Sequence, residues 1–347
     1  MNEQLYDINI ENYYQLPTPA EVHEELPLAC DEADKVYNFR QCVKDIIHRR
    51  DKRILVITGP CSIDHIPSAK TYAEKLSILR RKMEDKLEIV MRAYFEKPRS
   101  VLGWKGFVYD PDLDNSFRME RGLRESRKFL LELVKMDLPA ATEFLDQTIP
   151  QYLSDLISWA AIGARTVESQ PHRQLASGFS MPVGFKNATD GAISAAVEAV
   201  MAARSKHSFL GVTNSGHPGV YSTKGNPDCH IVLRGGPNSP NYGSENVAYA
   251  VELMRKKNLE PSIIVDCSHG NSRKNPLLQR EVLRDVANQI RAGQSAISGI
   301  MLESYLITGN QSISTRTSET CGLSVTDGCL GWEETEEALK EFYSILP

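Results

Sequence analysis

From residue 53 onward, hydrophobic and polar positions alternate between two patterns. Short apolar, β-branched runs give way to longer stretches in which apolar residues recur three or four positions apart. The first pattern fits buried strands, the second helices with one face on a core. The short runs predict strands at Ile54–Thr58, Glu88–Ala93, Ala140–Phe144, Ala164–Glu168, Val183–Lys186, Ile231–Arg234, Ile263–Cys267 and Ile297–Glu303. Between them, Ala69, Tyr72, Leu76, Leu79 and Met83 mark one helical face, and Tyr152, Leu156 and Trp159 another. Further faces run through Ile193, Val197, Val200 and through Val282, Val286, Ile290. A last helix is expected from Glu333 to Leu346, its acidic start suiting the positive helix end. Alternation of this kind makes parallel βα units. Eight units predict one α/β domain over residues 51–347, a (β/α)8 TIM barrel.

Four segments fall outside the pattern. Residues 1–50 are acidic and contain Pro17, Pro19 and Pro27 before turning helical around Lys35–Arg50, so they read as an N-terminal extension suited to oligomer contact or regulation. Ser208–Thr213 and Gly219–Thr223 flank Asn214–Pro218, which predicts a β-hairpin inserted before the sixth strand, at about 207–224. Two long loops, 94–120 and 304–331, are of a length usually reserved for function.

Composition narrows the classes. The chain has 347 residues, 41% hydrophobic and 24% charged, with a net charge of -5. That balance gives no surface for nucleic acid or a polybasic membrane contact, so any anion site must be built locally from chosen Arg and Lys. The start, MNEQLYDINIENYY, has neither a basic head nor an apolar run, and no stretch approaches a membrane span of about 18 apolar residues. Seven cysteines form no CxxC pair, which points to reduced thiols in the cytoplasm.

In such a barrel the chemistry sits at the C-terminal strand ends and the loops that follow. Cys61 follows the first strand; Arg92 closes the second, with Lys97, Arg99 and Ser100 beyond it. Glu143 closes the third, Arg165 lies in the fourth, Lys186 closes the fifth and Arg234 the sixth. His269 follows the seventh, Glu303 closes the eighth, and Asp327 lies in the loop after it. Six cations around one mouth need anions, and guanidinium forks suit phosphate or carboxylate oxygens. About three anionic groups would balance them. The remaining thiol, imidazole and two carboxylates (Cys61, His269, Glu303, Asp327) suit a borderline divalent ion such as Mn2+, Fe2+, Co2+ or Zn2+. They come from strands one, seven and eight, which closure makes neighbours.

The motifs GPCSI, MRAYFEKPR, GWKG, GARTVESQ, GFKN, LRGG, DCSHGNS, GNQS and TDGCLGW, in that order, closely resemble the microbial, aromatic-amino-acid-regulated 3-deoxy-D-arabino-heptulosonate 7-phosphate synthases. The resemblance runs from about residue 10 to the end. It implies condensation of phosphoenolpyruvate with erythrose 4-phosphate, the first step of the shikimate pathway. It also implies that Arg92, Arg165, Lys186 and Arg234 grip phosphoenolpyruvate, that Lys97, Arg99 and Ser100 hold erythrose 4-phosphate, and that Cys61, His269, Glu303 and Asp327 bind the metal. Lys97 is then the candidate for proton transfer near the aldehyde, and Glu143 for positioning water. Departures from the family pattern are Ser100-Val101, Val167, Ala188 and the order Asp64-His65, where His-Asp is more familiar.

The resemblance further implies an aromatic-amino-acid effector site at Gln151, Leu175, Phe179, Ser180, Phe209, Gly211 and Tyr221. Glycine at 211 leaves room for a ligand hydroxyl, which favours tyrosine, whereas Phe179 and Tyr221 are bulky enough to narrow the cavity. A homodimer or homotetramer is expected. Cys329, two residues past Asp327, is placed to form a disulfide with Cys61 when metal is absent. The alternatives are a specialised or unregulated copy serving secondary metabolism, a related synthase using another aldose phosphate, and a non-catalytic anion-binding or metal-binding barrel.

Overall fold

A computed structural model describes residues 5–347. The barrel strands are β1 (Ile54–Gly59), β2 (Leu87–Arg92), β3 (Ala140–Glu143), β4 (Trp159–Ile162) and β5 (Val183–Lys186), followed after a hairpin by three more. The hairpin is β6 (Ser208–Val212) and β7 (Pro218–Ser222), antiparallel, with Phe209 opposite Tyr221. Then come β8 (Cys229–Leu233), β9 (Ile263–Asp266) and β10 (Ile297–Glu303). Pairing runs β1-β10-β9-β8-β5-β4-β3-β2 and closes, so β1 lies beside β10 with Gly59 opposite Glu303. The expected eight-stranded parallel barrel is what the chain adopts, and helices cover its outer face.

The fourth strand needs correction. It occupies Trp159–Ile162, and residues 164–168 form a turn with the Thr166 amide donating to Gly163 O at 3.1 Å. Within 164–168 Arg165 and Glu168 are exposed and only Val167 is buried, whereas Trp159–Ile162 is buried throughout. The apolar spacing that suggested one helix through Trp159 spans Pro150–Leu153, a 3-10 turn and then this strand. Arg165 therefore sits in the loop after β4, and Arg234 just past β8.

Alternate strand residues make two cores. Leu55, Ile57, Val90, Ala141, Trp159, Val232, Ile264 and Met301 fill the barrel interior, while their neighbours pack outward on the helices. Trp159 fits because residue 184 is glycine: a Cβ there would lie 2.4 Å from the indole. Val43, Ile46 and Ile47, at the end of the helix Cys30–Ile47, join the same interior cluster and close the barrel floor. With the floor filled, only the opposite end is open. In the loop after β10, two short strands, β11 (Ile307–Asn310) and β12 (Leu323–Ser324), pair with each other. Among the described residues, no helix is long and apolar enough to cross a membrane.

Candidate active site

The open end holds a cavity of about 900 Å³, lined by Cys61, Arg92, Lys97, Arg99, Ser100, Glu143, Arg165, Lys186, Arg234, His269, Glu303 and Asp327. Closure brings these side chains to one place, because each sits at the C-terminal end of a strand or in the loop that follows it.

The oxygen and sulfur donors converge. Ligand atoms of Cys61, Glu303 and Asp327 all lie within 4.8 Å of one another, and Cys61 Sγ stands 3.6 Å from Asp327 Oδ2. His269 lies at the edge of this trio, its Nε2 at 3.6 Å from Glu303 Oε1. Its Nδ1 is held by Ser268 Oγ at 2.7 Å and Asp266 Oδ2 at 3.0 Å, an arrangement that orients an imidazole for metal binding. In this structure Cys61 Sγ and Asp327 Oδ2 meet the Lys97 ammonium, at 2.9 Å and 2.7 Å, while Glu303 meets Arg92. A thiol, two carboxylates and an oriented imidazole around a cation position fit a borderline divalent metal.

Electrostatics agree with that layout. Burial, followed by the Glu303 carboxylate, pushes the Cys61 thiol up, and Lys97 only partly offsets them. Burial would raise Asp327, but Lys97 outweighs it and holds the carboxyl well below the usual range. For Lys97, burial is outweighed by Cys61, Asp327 and Glu303, which keep the ammonium charged.

The six cations divide evenly. Arg92 is buried against Glu303 at 3.0 Å, donates to Pro60 O and Cys61 O at 3.1 Å each, and lies 3.6 Å over the Tyr94 ring. Lys97 pairs with Asp327 at 2.7 Å, and Lys186 with Asp266 at 3.0 Å. Among the described residues, Arg99, Arg165 and Arg234 have no carboxylate partner, yet all three line the cavity. Arg165 Nε donates to Ser100 Oγ at 2.9 Å and Arg99 Nε to Trp104 O at 2.8 Å. Glu143 is buried, and its Oε1 has no partner.

Sequence reasoning missed two carboxylates. Asp266 binds both Lys186 and His269, and its place at the end of β9 beside the DCSHG motif was the available signal. Glu96 accepts the amides of Leu145 and Asp146 and the Tyr109 hydroxyl, which ties the loop after β2 to the one after β3. Burial pushes Glu96 up to about 8, against the pull of those amides. Cys61 and Cys329 are both free and buried.

A second cavity, about 600 Å³, lies between the hairpin and the chain around residue 150. Gln151, Leu175, Phe179, Ser180, Phe209, Gly211 and Tyr221 all line it, with His23, Arg40 and Asp155, which the sequence did not point to. Tyr221 stacks on Phe209 with ring centroids 5.9 Å apart, and its hydroxyl donates to Val212 O at 2.9 Å. A Cβ at Gly211 would stand 2.9 Å from the Tyr221 ring. The space expected above Gly211 is thus covered from within the hairpin.

Comparison with known proteins agrees with this architecture. Residues 21–340 match the profile of the DAHP synthetase I family. The Phe-sensitive phospho-2-dehydro-3-deoxyheptonate aldolase of Escherichia coli K12 is 48% identical over 341 residues, covering 98% of this chain and 97% of that protein. The Tyr-sensitive enzyme of the same strain is 47% identical, covering 99% and 97%. The solved phospho-2-dehydro-3-deoxyheptonate aldolase of Francisella tularensis SCHU S4 superposes with a TM-score of 0.95 at 44% identity, covering 97% and 98%.

Proposed function

Since the chain belongs to the DAHP synthetase I family, we propose that it condenses phosphoenolpyruvate with D-erythrose 4-phosphate and water. The products are 3-deoxy-D-arabino-heptulosonate 7-phosphate and phosphate, and the step opens the shikimate pathway to the aromatic amino acids. The observation that carries the reading is that three guanidiniums, Arg99, Arg165 and Arg234, face one cavity beside the donor trio with no carboxylate partner among the described residues. Both substrates are phosphorylated and one also bears a carboxylate, so their anionic groups match these unbalanced charges.

In this reading Arg92, Arg165, Lys186 and Arg234 hold phosphoenolpyruvate, and Lys97, Arg99 and Ser100 hold erythrose 4-phosphate. Cys61, His269, Glu303 and Asp327 would bind a divalent ion, Mn2+, Fe2+, Co2+ or Zn2+. Such an ion supplies Lewis acidity to a carbonyl oxygen. The new bond joins C3 of phosphoenolpyruvate to the aldehyde carbon, while the aldehyde oxygen takes up a proton. Lys97 Nζ delivers that proton in this reading, which its contacts with the thiol and carboxylate of the donor trio support. Glu143, whose Oε1 has no other partner, orients the water that adds to C2 and accepts a proton from it. The C2–oxygen bond to phosphate then breaks; phosphate leaves with the bridging oxygen and takes up the C2 hydroxyl proton, which leaves the ketone.

The second cavity takes an aromatic amino acid that regulates the rate. The Phe-sensitive and Tyr-sensitive relatives are almost equally similar, so the preference for tyrosine rests on Gly211 alone. A ligand hydroxyl there must displace Tyr221 or lie beside it. The protein works as a homodimer or homotetramer in the cytoplasm. Support for assembly comes from Leu5, Ile8, Tyr13, Leu210 and Val220, large apolar side chains left exposed on the extension and hairpin. Free cysteines support the compartment.

The test is phosphate release from phosphoenolpyruvate, measured with a panel of aldose phosphates, with and without chelator, and with each aromatic amino acid. Release only with erythrose 4-phosphate and metal supports the reading. A preference for a longer aldose, or release that survives chelation, contradicts it.

A further inference from the structure

The Asp64-His65 step puts a carboxylate in an unusual place. Asp64 lies three residues past Cys61 in the loop after β1, its side chain is fully buried, and neither oxygen has a hydrogen-bond partner among the described residues. A buried carboxylate left this way is costly unless a charge stands near it. The nearest is Arg316, whose Nε is 3.6 Å from Asp64 Oδ2 and also lacks a hydrogen bond. Arg316 belongs to the loop after β10, the one that carries Asp327.

That loop is folded on itself. β11 pairs with β12, and bridges join Ser304 to Leu330 and Gly309 to Cys329. Asn310 Nδ2 donates to Thr326 O at 2.9 Å, which fixes the residue just before Asp327. These bonds hold the loop together as a unit, and its position depends on how the unit is tied to the strand end bearing Cys61. At the loop's base the Ser304 amide donates to Gly59 O at 2.9 Å; farther along, the neutral ties are weak by distance, Thr326 Oγ1 to Ser62 Oγ at 3.5 Å and Tyr305 OH to His65 O at 3.5 Å. Among the described residues, Asp64–Arg316 is the one charged tie between the two loops.

We propose that Asp64 and Arg316 are a positioning pair that holds the Asp327 loop against the Cys61 strand end and thereby sets the affinity of the metal site. The proposal rests on the reading of Cys61 and Asp327 as ligands. Neither Asp64 nor Arg316 lines the cavity, so each acts through the spacing of the two donors.

The experiment uses the full chain, stripped of metal and titrated with Mn2+ alone, free Mn2+ being read by electron paramagnetic resonance. Arg316→Met and Asp64→Asn should each weaken Mn2+ binding about tenfold, the lower end of what partners behind the ligands contribute. The double variant should lose the same tenfold, not the product, because one tie is broken in all three. Arg316→Lys, which keeps the charge, should stay within about threefold of wild type, and kcat of Arg316→Met at saturating Mn2+ should return to within about twofold. Should Asp64→Asn fail to fold, Arg316→Met and Arg316→Lys carry the test, since Arg316 is partly exposed. Wild-type affinity in Arg316→Met, or losses that multiply in the double variant, overturns the proposal. Asp327→Asn and Cys61→Ser are measured alongside. If they too bind Mn2+ as wild type does, the ligand reading itself falls; if they weaken binding while Arg316→Met does not, only the positioning role falls.

Discussion

Replacing Asp266 with Asn probes how the site is held together. The carboxylate is fully buried and lies 3.0 Å from Lys186 Nζ and 3.0 Å from His269 Nδ1. At that separation the attraction to one ammonium is about 5 kcal/mol with an effective dielectric near 20. Asparagine keeps the shape and removes the charge, which leaves Lys186 buried and uncompensated. Breaking a buried pair from one side costs about 3–5 kcal/mol, which for 347 residues lowers Tm by about 5 °C. His269 also loses the carboxylate behind it, so metal affinity should fall about 10–100-fold. The pH dependence has a definite sign. Burial would raise Asp266, but Lys186 and His269 hold it well below the ordinary value. Its stabilisation is therefore complete above the unfolded pKa and is lost as pH falls through the folded one. The gap between wild type and Asp266→Asn should be constant above about pH 5, begin to narrow near pH 4, and close only after pH has fallen through the depressed folded value. Calorimetry across that range, with Mn2+ titration of both proteins, is the assay. A variant that melts within about 1 °C of wild type at pH 7 would refute the reasoning, because the pair would then contribute nothing net. Lys186→Met with Asp266→Leu should recover most of the lost stability and remain inactive.

Other outcomes follow from the same geometry. Cys61→Ala should weaken metal binding by more than about 100-fold, beyond the effect of outer partners, as read by metal content after dialysis. Arg165→Ala and Arg234→Ala should each lower kcat/KM for phosphoenolpyruvate about 10–100-fold, through loss of charge-assisted hydrogen bonds, while Tm stays within about 2 °C because neither guanidinium has a carboxylate partner. Glu96, raised to about 8 by burial, contributes stability that is complete below its unfolded pKa and is lost as pH rises through about 8. Glu96→Gln should flatten that slope in urea titrations. Air oxidation of metal-stripped protein should join Cys61 to Cys329, with activity restored by thiol plus metal but not by metal alone, and peptide mapping should identify the pair.

Much of the fold was legible because strand and helix periods differ and the chain keeps them distinct over seven of the barrel strands. The fourth was misplaced for a physical reason. A 3.6-residue spacing continued by chance from Tyr152 through Leu156 into Trp159, whose ring points into the barrel. Convergence of Cys61, Glu303 and Asp327 could be anticipated from closure alone, since β1 and β10 pair. Which cations are already neutralised could not. The Asp266–Lys186 and Glu303–Arg92 pairs depend on side-chain reach across the mouth, and linear spacing carries no record of it. The same holds for Tyr221, whose cover over Gly211 follows from hairpin register and twist.

The most direct measurement follows carbon. Phosphoenolpyruvate labelled with 13C at C3 is incubated with erythrose 4-phosphate labelled at C1, and the product is examined by nuclear magnetic resonance with metal present and with metal chelated. The account predicts a new one-bond carbon–carbon coupling between the two labels, present only with metal and abolished in Arg165→Ala/Arg234→Ala. Absence of that coupling in metal-loaded wild type, or its persistence after chelation, would contradict it.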